Sequence, residues 1–406
     1  MMLKLYLRTT IVVLAMMIGC NHANAQEANY ELLPDSSNFV ISSLVIATPG
    51  EQAYSSLGHC GIRMECPSAG LDFCFSFEMR SSHPWFNYLQ YFAGNTPAGF
   101  LAIPTSKYID TYKSEGRGIK QYKLNLSLHQ EQELWRYLDN YYIEGANHNF
   151  DFIRNNCASM CLLAIEANVG DESIEIRKWP EQHKMNNGDI LCYLTRHSPW
   201  LQFALMTLIG NEADSYWIDE ERTSPELIIE ALKSAVIISV DGTERPLLTG
   251  NEQVLLKKTK ELSTTIITPF IAFICLLIIV ITMTLLEWKK RCTKIIRIVD
   301  IILLVFQTLT GVTLVYLTFG KGLFGSHWNY CLLLFNPVPF LVWLFFRKQK
   351  WYFKSYAVYT IVLLLFICFT PFITNQVVAS HHIIATSFII RCVSKFIKSR
   401  KAQFPA

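Results

Sequence analysis

The sequence has few charged residues. Asp, Glu, Lys and Arg make up 17% of its 406 residues, whereas hydrophobic residues make up 51%, and the mean hydropathy is +0.24. An ordinary soluble enzyme carries more charge and less apolar surface than this. The composition therefore indicates that part of the chain lies in a membrane.

An excess of charge of one sign is also lacking. The net charge is only +3, and the lysines and arginines lie beside apolar segments rather than in one soluble stripe. This gives no support to nucleic-acid binding. No cysteine and histidine pair has the spacing of a zinc finger or a zincin, so the sequence predicts no metal site, and no cofactor is expected. There is no internal repeat and no low-complexity segment.

The amino terminus has the pattern of a secretory signal peptide. Lys4 and Arg8 precede the apolar segment 11–18, and Ala23-Asn24-Ala25 provides a small-residue cleavage site. We therefore expect residues 1–25 to be removed and the mature chain to start near Gln26. The alternative is a lipoprotein signal cut before Cys20, but the residues around Ala25 fit cleavage better.

From Thr264 onward the sequence is dominated by apolar segments. A membrane-spanning helix needs about 20 residues. Five segments are long enough, or nearly so, to span: 264–286, 298–319, 328–346, 356–373 and 382–397. Arg391 and Lys395 interrupt the fifth, so its alternative is a helix lying on the membrane surface.

The loops between these segments predict the orientation. Cations concentrate in the first and third loops and at the end of the chain, which places those regions inside the cell. The main ones are Lys289, Lys290, Arg291, Lys294, Arg297, Arg347, Lys348, Lys350, Lys354, Lys395, Lys398, Arg400 and Lys401. We therefore expect a periplasmic soluble domain over 26–255 and a helical bundle over 256–406. The expected location is the inner membrane, as a multi-pass protein.

The soluble domain combines strand and helix patterns, which predicts the α+β class. Buried or alternating apolar patterns predict strands over 38–48, 59–64, 72–77, 99–103 and 119–126. A short helix is expected from Trp85 to Phe92. Ser127 to Gln130 reads as a capping box before an amphipathic helix, and Asn155 or Asn156 as the cap of the next one.

One thiol lies where a nucleophilic cysteine would be favoured. Cys157 follows Asn155-Asn156 at the start of an apolar helix, and His59 opens a strand about a hundred residues earlier. A helix amino terminus and a nearby imidazolium both lower a thiol pKa, and the thiolate is the nucleophile. Backbone N–H groups at this helix start, including that of Cys157, are candidates to stabilise an oxyanion.

The same residues also fit plainer roles. A cysteine on an apolar helix is often a small buried hydrophobe, and a histidine at a strand start is often simply packed. Disulfides are permitted in the periplasm, and Cys66 with Cys74 and Cys161 with Cys192 are candidate pairs, although sequence alone fixes no connectivity.

Several segments carry a resemblance to the Lnb family, the lipoprotein N-acyltransferases of Bacteroides and its relatives. They are Val45 to Glu51, Tyr54 to His59 with Ile62-Arg63, and Phe150-Asp151-Phe152 with Asn156-Cys157-Ala158. In the membrane part, His327, Asn329, Asn336 and Pro337 resemble that family's marks around the third span. The resemblance covers nearly the whole chain.

The resemblance implies a specific reaction. The family moves an acyl chain from a membrane phospholipid to the α-amino group of a diacylglyceryl-cysteine lipoprotein, and its soluble domain is similar to permuted papain-like (NlpC-type) folds. Cys157 would be the nucleophile and His59 the base. Arg63, Asn155, Asn156, His327, Asn329 and Asn336 would support the site or the substrate.

The chain departs from the family pattern in three places. Cys60 stands where a threonine is usual, Ser159-Met160 replaces Thr-Arg, and the third strand lacks the Tyr-Asn-Tyr-Gly motif. The residue that orients His59 is therefore not given by the motifs, and Asp72 is the best candidate. Two other functions stay open: a membrane-anchored cysteine peptidase or peptidoglycan amidase, and a non-catalytic membrane module.

Overall fold

The computed structural model describes residues 41–79, 98–145, 150, 155–216, 224–263, 265–320, 327–349 and 351–403. The predicted signal peptide, the first three residues of the first predicted strand and the predicted helix from Trp85 to Phe92 lie outside the described residues.

The first half of the described chain is built on an antiparallel sheet. Its strands are β1 (Ile41–Ala47), β2 (His59–Cys66), β3 (Leu71–Met79), β4 (Ala98–Pro104), β5 (Ile119–Leu124) and β9 (Leu248–Leu256). They lie in the order β4-β3-β2-β1-β5-β9. A smaller sheet joins β6 (Ser173–Ile176), β7 (Ala235–Ile238) and β8 (Glu244–Pro246).

Helices accompany these strands. They are α1 (Thr105–Ser114), α2 (Leu128–Glu144), α3 (Cys157–Glu166), α4 (Asn187–Leu194), α5 (Pro199–Leu208) and α6 (Pro225–Leu232). The predicted capping box starts α2: the Gln130 N–H donates to Ser127 Oγ at 3.4 Å, and the Ser127 N–H donates to Gln130 Oε1 at 2.9 Å. Reciprocal bonds of this kind satisfy N–H groups that the first helical turn leaves unpaired.

The two faces of the large sheet carry different helices. On one face, Tyr108 and Tyr112 of α1 pack with Val45, Ala47 and Cys74. On the other, α2 and α3 cover the sheet, and Trp135 of α2 contacts Phe75 edge to face at 5.2 Å between ring centroids. The predicted α+β class is confirmed in this coarse form.

The two candidate disulfides are not formed. Cys66 opposes Leu71 and Cys74 opposes Arg63, so the two thiols point to opposite faces. Cys161 is buried on α3, whereas Cys192 of α4 packs near Met206. All four are free thiols.

The second half of the described chain is helical. Its helices are α7 (Pro269–Trp288), α8 (Thr293–Phe319), α9 (Cys331–Leu334), α10 (Val338–Phe346), α11 (Phe353–Ile373) and α12 (Ala379–Gln403). Among the described helices, α7, α8 and α11 are long and apolar enough to cross a membrane.

The third predicted span, 328–346, is not one continuous helix. It breaks between α9 and α10 at Asn336-Pro337, because a proline has no N–H to donate and disfavours helical geometry in the residue before it. Asn336 Oδ1 instead accepts the Val338 N–H at 3.2 Å. Gly311 of α8 lets this break pack closely, since a Cβ there would lie 2.7 Å from the Asn336 Cα.

The charges in the fifth predicted span have acidic partners. Arg391 of α12 donates to both carboxylate oxygens of Asp300 on α8 at 2.8 Å, and it also lies 3.1 Å from Glu287 on α7. Lys395 pairs with Asp300 at 2.6 Å. These ion pairs explain how a helix with charged residues packs inside the bundle.

The apolar helix α5 joins the two halves. Thr207 of α5 is 2.9 Å from Nε2 of His381 on α12, and Phe203 stacks on the same imidazole at 4.7 Å. The Trp200 indole donates to the Ile267 carbonyl at 2.8 Å, just before α7. The sequence pattern did not predict α5, which fixes the sheet domain to the bundle.

Candidate active site

Cys157 is the first residue of α3, as its predicted position required. Asn156 caps the helix: its Oδ1 accepts the N–H groups of Ala158 at 2.9 Å and Ser159 at 3.1 Å. The Asn156 N–H donates in turn to Ser159 Oγ at 3.0 Å. Asn155 lies half-buried in the bend before the helix. Asn156 thus fixes the helix start that positions the thiol, and it uses two of the N–H groups expected to face an oxyanion.

His59 is the first residue of β2, opposite Ala47 of β1. Gly58, just before it, has φ +83°, a left-handed conformation that glycine adopts readily. A Cβ at Gly58 would lie 2.9 Å from the Ala47 carbonyl oxygen. The turn into β2 therefore requires glycine, and this turn fixes the position of the His59 backbone.

Ser76 and Glu78 of β3 hold the His59 ring. Nε2 of His59 is 2.5 Å from Ser76 Oγ, which donates to Glu78 Oε1 at 3.0 Å. Because the serine proton goes to the carboxylate, Ser76 accepts from Nε2–H, and this places the proton on Nε2. Nδ1 is then the unprotonated nitrogen that can act as a base.

Asp72 does not take the role predicted for it. It opposes Glu65 in the β2–β3 pair, six residues along β2 from His59, a separation of roughly 20 Å at the rise of an extended strand. Its carboxylate accepts from Arg63 Nε at 2.8 Å and Nη2 at 2.7 Å. Arg63 also donates to Gln121 Oε1 at 2.7 Å. Asp72 and Arg63 therefore tie neighbouring strands together, and the carboxylate beside His59 belongs to Glu78, 3.9 Å away.

The thiol lies next to the start of β2. Sγ of Cys157 lies near the backbone N–H groups of Cys60, the residue after His59, and of Ala158. Cys157 is 8% exposed, and the side chain of His59 is 16% exposed. Both side chains are thus largely buried, Cys157 at the start of α3 and His59 at the start of β2.

Both groups are held neutral in this closed site. Burial raises the pKa of the Cys157 thiol to about 12, the nearby Cys60 adds to this rise, and the backbone N–H groups of Cys60 and Ala158 oppose it. Burial, followed by the positive charge of Arg117, lowers the pKa of His59 to about 4. Burial also raises the pKa of Glu78, against its bond from Ser76. At neutral pH both the thiol and the imidazole are therefore uncharged. General-base activation of a nucleophile starts from these two protonation states.

The loop beside this site contacts the linker to the membrane helices. The N–H groups of Thr259 and Lys260 donate to the Gly116 carbonyl at 3.1 and 3.0 Å, and Lys260 Nζ pairs with Glu51 at 2.6 Å. Even a fully extended chain from Lys260 to Pro269, where α7 begins, spans only about 30 Å. The loop beside the site is therefore held against the start of the segment that leads to the bundle.

Two family models match this chain. That of the Lnb N-terminal periplasmic domain matches residues 34–182, and that of the Lnb transmembrane domain matches residues 260–403. The chain belongs to the Lnb family. No curated protein and no solved structure was found to match it. The family resemblance read from the sequence is confirmed, and so is a membrane protein with a periplasmic part.

The site residues predicted in the Lnb transmembrane domain make hydrogen bonds to groups other than the Cys157 thiol. Asn329 donates to the carbonyls of Thr207 at 2.9 Å and Leu208 at 3.1 Å. Nδ1 of His327 is 3.2 Å from the Thr318 carbonyl, and Asn336 bonds across the α9–α10 break. In the described part of the chain, their hydrogen bonds serve docking and helix ends rather than His59 or Cys157.

The sequence pattern missed Ser76 and Glu78 of the Lnb periplasmic domain. The β2–β3 hairpin pairs Cys66 with Leu71, and continuing this register brings Glu78 opposite His59. The turn at Pro67 to Gly70 was the available signal, but the predicted third strand ended at Phe77. Across the described ranges, no group of three His, Cys, Asp or Glu side chains is arranged to hold a metal ion.

Proposed function

We propose that this Lnb family member is a lipoprotein N-acyltransferase. It would move an acyl chain from a membrane phospholipid, through a thioester on Cys157, to the α-amino group of a diacylglyceryl-cysteine lipoprotein. The observation that carries the proposal is a helix-capped thiol next to Cys60, the residue that follows the neutral imidazole of His59. The loop at Gly116 in the same domain binds the linker to the membrane helices.

The first half-reaction forms the thioester. Nδ1 of His59 takes the Cys157 proton, and the thiolate attacks the ester carbonyl of the phospholipid. The N–H of Cys157 lies at the helix start, where no intrahelical acceptor exists, and it has no acceptor among the described residues, so it is available to the oxyanion. As the carbon–oxygen bond breaks, the imidazolium returns its proton to the leaving lysophospholipid.

The second half-reaction transfers the acyl group. The free amine of the lipoprotein attacks the thioester, His59 takes a proton from that nitrogen, and the Cys157 thiolate leaves and is reprotonated. Ser76 and Glu78 keep Nε2 protonated throughout, so that Nδ1 always faces the reaction. The products are a triacylated lipoprotein and a lysophospholipid, by a ping-pong route.

The architecture proposed with this reaction is a permuted papain-like domain on a bundle that crosses the inner membrane five times. A histidine that precedes the cysteine, and a cysteine at a helix start against an antiparallel sheet, support the domain assignment. The cation-rich loops and the acidic partners of α12 support the five spans.

The product assay tests the function. The full-length protein in detergent is incubated with phospholipid and a diacylglyceryl-cysteinyl peptide, and mass spectrometry detects triacylated peptide and lysophospholipid. We expect both products from the wild type, none from Cys157→Ala, and wild-type levels from the control Cys192→Ala, whose thiol lies on α4. A parallel incubation uses peptidoglycan as the substrate. Release of peptides or new amino termini there, without acyl transfer in the first assay, would support the amidase alternative instead.

A further inference from the structure

Helix α5 (Pro199–Leu208) carries no charged residue. Apart from Gln202 and Thr207, its side chains are apolar or aromatic. The helix lies between the two ranges that the family models match, 34–182 and 260–403, so neither model assigns it a role. A helix that is apolar on nearly all sides is normally surrounded by protein or by lipid.

One side of α5 is covered by the bundle. Phe203 and Leu208 pack against the core of the bundle, which includes Phe273 of α7 and Ile384 of α12. The ring centroids of Phe203 and Phe273 are 5.1 Å apart. This side of the helix is therefore surrounded by protein.

Another side of α5 is an exposed apolar edge. Trp200 is 43% exposed, and Ala204, one helical turn further on, is also exposed. The Trp200 indole donates its single N–H to the Ile267 carbonyl at 2.8 Å, so its exposed ring offers only apolar surface. Phe270 and Ile271, in the first turn of the adjoining α7, are exposed as well. The edge of α5 thus continues into the outer surface of a membrane helix.

The position of Trp200 along α7 gives its depth in the membrane. Helix α7 has 20 residues and is therefore about 30 Å long, which is the thickness of the hydrocarbon core. Its first residue, Pro269, lies at the periplasmic boundary, because the periplasmic domain precedes it. The Trp200 ring is 6.1 Å from the ring of Phe273, which lies about 6 Å further along α7. Trp200 is therefore at the depth of the membrane interface, where tryptophan is enriched.

The far end of α5 lies at a similar depth. Thr207 is 2.9 Å from Nε2 of His381, the third residue of α12. Helices α7 and α12 run in the same direction, since Trp288 at the end of α7 donates to Ser394 of α12 at 3.2 Å. Both contacts of α5 are thus close to the periplasmic ends of these helices. The axis of α5 therefore runs along the membrane surface rather than through the bilayer.

We propose that α5 is an in-plane membrane helix whose exposed edge, formed by Trp200 and Ala204, lies in the phospholipid of the periplasmic leaflet. Its ten residues are too few to span a bilayer, but an apolar edge of this length suits a helix lying in the interface. This inference goes beyond the proposed acyl transfer and does not rest on it.

The lipid contact of α5 is linked to the segment before His59. Ile190 and Leu194 of α4, the helix before α5, pack with Leu57, two residues before the histidine. Ser56 and Trp200 line the same cavity of about 200 Å³. A helix anchored in the leaflet therefore sets the height of this segment above the membrane.

Photolabelling of the wild-type protein tests the lipid contact. Full-length protein is reconstituted in vesicles that contain a phosphatidylglycerol with a diazirine in its acyl chain, close to the ester. After irradiation, labelled peptides are mapped by mass spectrometry, and a dark sample identifies acyl chains attached without light. We expect label on Trp200 or Ala204 as well as on Phe270 and Ile271. Peptides with the exposed Leu128 and Val240 of the periplasmic domain should stay unlabelled.

A charge on the exposed edge tests the same contact by substitution. Ala204→Glu should lose the label on α5 and keep it on α7, because a carboxylate is costly in lipid. Hydrogen exchange across 199–208 should become faster. Ala204→Leu, which is larger but apolar, should keep the label. The matched control is Ala69→Glu, at an exposed alanine in the β2–β3 turn, which should behave as the wild type.

Three results would overturn the proposal. The first is a wild-type α5 without label in a sample whose α7 is labelled. The second is protection of α5 from lipid by a second copy of the chain, detected as chemical cross-links between the α5 segments of two chains. The third is the same labelling in Ala204→Glu as in Ala69→Glu. If Ala204→Glu does not fold, the wild-type labelling decides alone, and it does so whether or not Cys157 forms a thioester.

Discussion

Two neighbours on β3 prepare His59 for the role of base that we propose for it. The chain Nε2–Ser76–Glu78 fixes the tautomer, and burial keeps the ring neutral. Because Ser76 lies between His59 and Glu78, the carboxylate orients the ring through this hydrogen-bond chain and does not hydrogen-bond to the ring itself. In the proposed mechanism the thiol, also neutral, is activated only when Nδ1 takes its proton.

Glu78 and Asp72 provide a matched pair of carboxylates on one strand. Glu78→Gln should slow acyl transfer by roughly tenfold to a hundredfold, because an amide can donate to Ser76 and reverse the hydrogen-bond chain that protonates Nε2. Asp72→Asn should leave the rate nearly unchanged but lower the apparent Tm, because it weakens the charge-assisted bonds from Arg63. Initial rates and thermal unfolding of both variants check this.

The opposite pattern would restore Asp72 as the orienting residue. That would require a full rate in Glu78→Gln and a slow rate in Asp72→Asn. The sequence predicted His59 and Cys157 as site residues because a motif and a helix start mark them, and their catalytic roles stay a prediction. It did not identify Glu78, because only the exact hairpin register brings that side chain opposite His59.

A buried carboxyl lies where β1 contacts α2, and its effect on the free energy of unfolding depends on pH. Glu131 is 2% exposed, its Oε1 accepts the Ser42 N–H at 3.1 Å, and Oε2 has no partner in the described part of the chain. Burial raises its pKa to about 7, against the bond from Ser42. The folded state therefore holds this proton more tightly than the unfolded chain does. Its contribution to stability is fully present below the ordinary glutamate pKa and is lost as pH rises through about 7.

Glu131→Gln should remove this dependence. Relative to the wild type, the variant should gain about 1–3 kcal/mol of stability between pH 5 and pH 8, since one pKa unit corresponds to about 1.4 kcal/mol. Thermal unfolding at the two pH values measures it. Glu133→Gln, more exposed on the same helix, serves as the control and should show no such change. A constant difference between Glu131→Gln and wild type at both pH values would contradict the account.

Elements with local signals were predictable. Ser127 and Asn156 cap helices through contacts within three residues, and the strand patterns of β1, β2 and β5 alternate or run buried as expected. The third span was predicted as continuous because its mean hydropathy is high throughout. Hydropathy does not depend on the backbone N–H that Pro337 lacks, and this missing N–H is what breaks the helix. Helix α1, which supplies Tyr112, was not predicted from its mixed polar sequence.

At the scale of the whole molecule, the periplasmic domain and the bundle are joined through buried hydrogen bonds as well as the linker. Asn329, 4% exposed, donates to Thr207 and Leu208 of α5 and accepts from Gln376 at 2.6 Å and the Cys331 N–H at 2.8 Å. The sequence marked Asn329 as functional without indicating its partner, because the contact joins segments more than a hundred residues apart. Its observed role is to hold α5 against the bundle.

Asn329→Ala should loosen this junction. Leaving several buried groups unpaired costs about 1–3 kcal/mol each, so we expect a lower apparent Tm and faster proteolysis in the linker before α7. Acyl transfer should fall, because the site is then held less firmly at the membrane. The control Asn251→Ala, on the exposed side of β9, should behave as the wild type. Unchanged proteolysis and Tm in Asn329→Ala would contradict the junction's importance.

The central claim is that Cys157 carries the acyl chain between two lipid substrates. The most direct measurement is the intact mass of the full-length protein after incubation with phospholipid and no acceptor, with the modified residue located by peptide mapping. We predict one added acyl group on Cys157, removed by hydroxylamine, lost when the diacylglyceryl-cysteinyl peptide is added, and absent from His59→Ala. Triacylated peptide formed at the wild-type rate while Cys157 stays unmodified, or is replaced by alanine, would contradict the account.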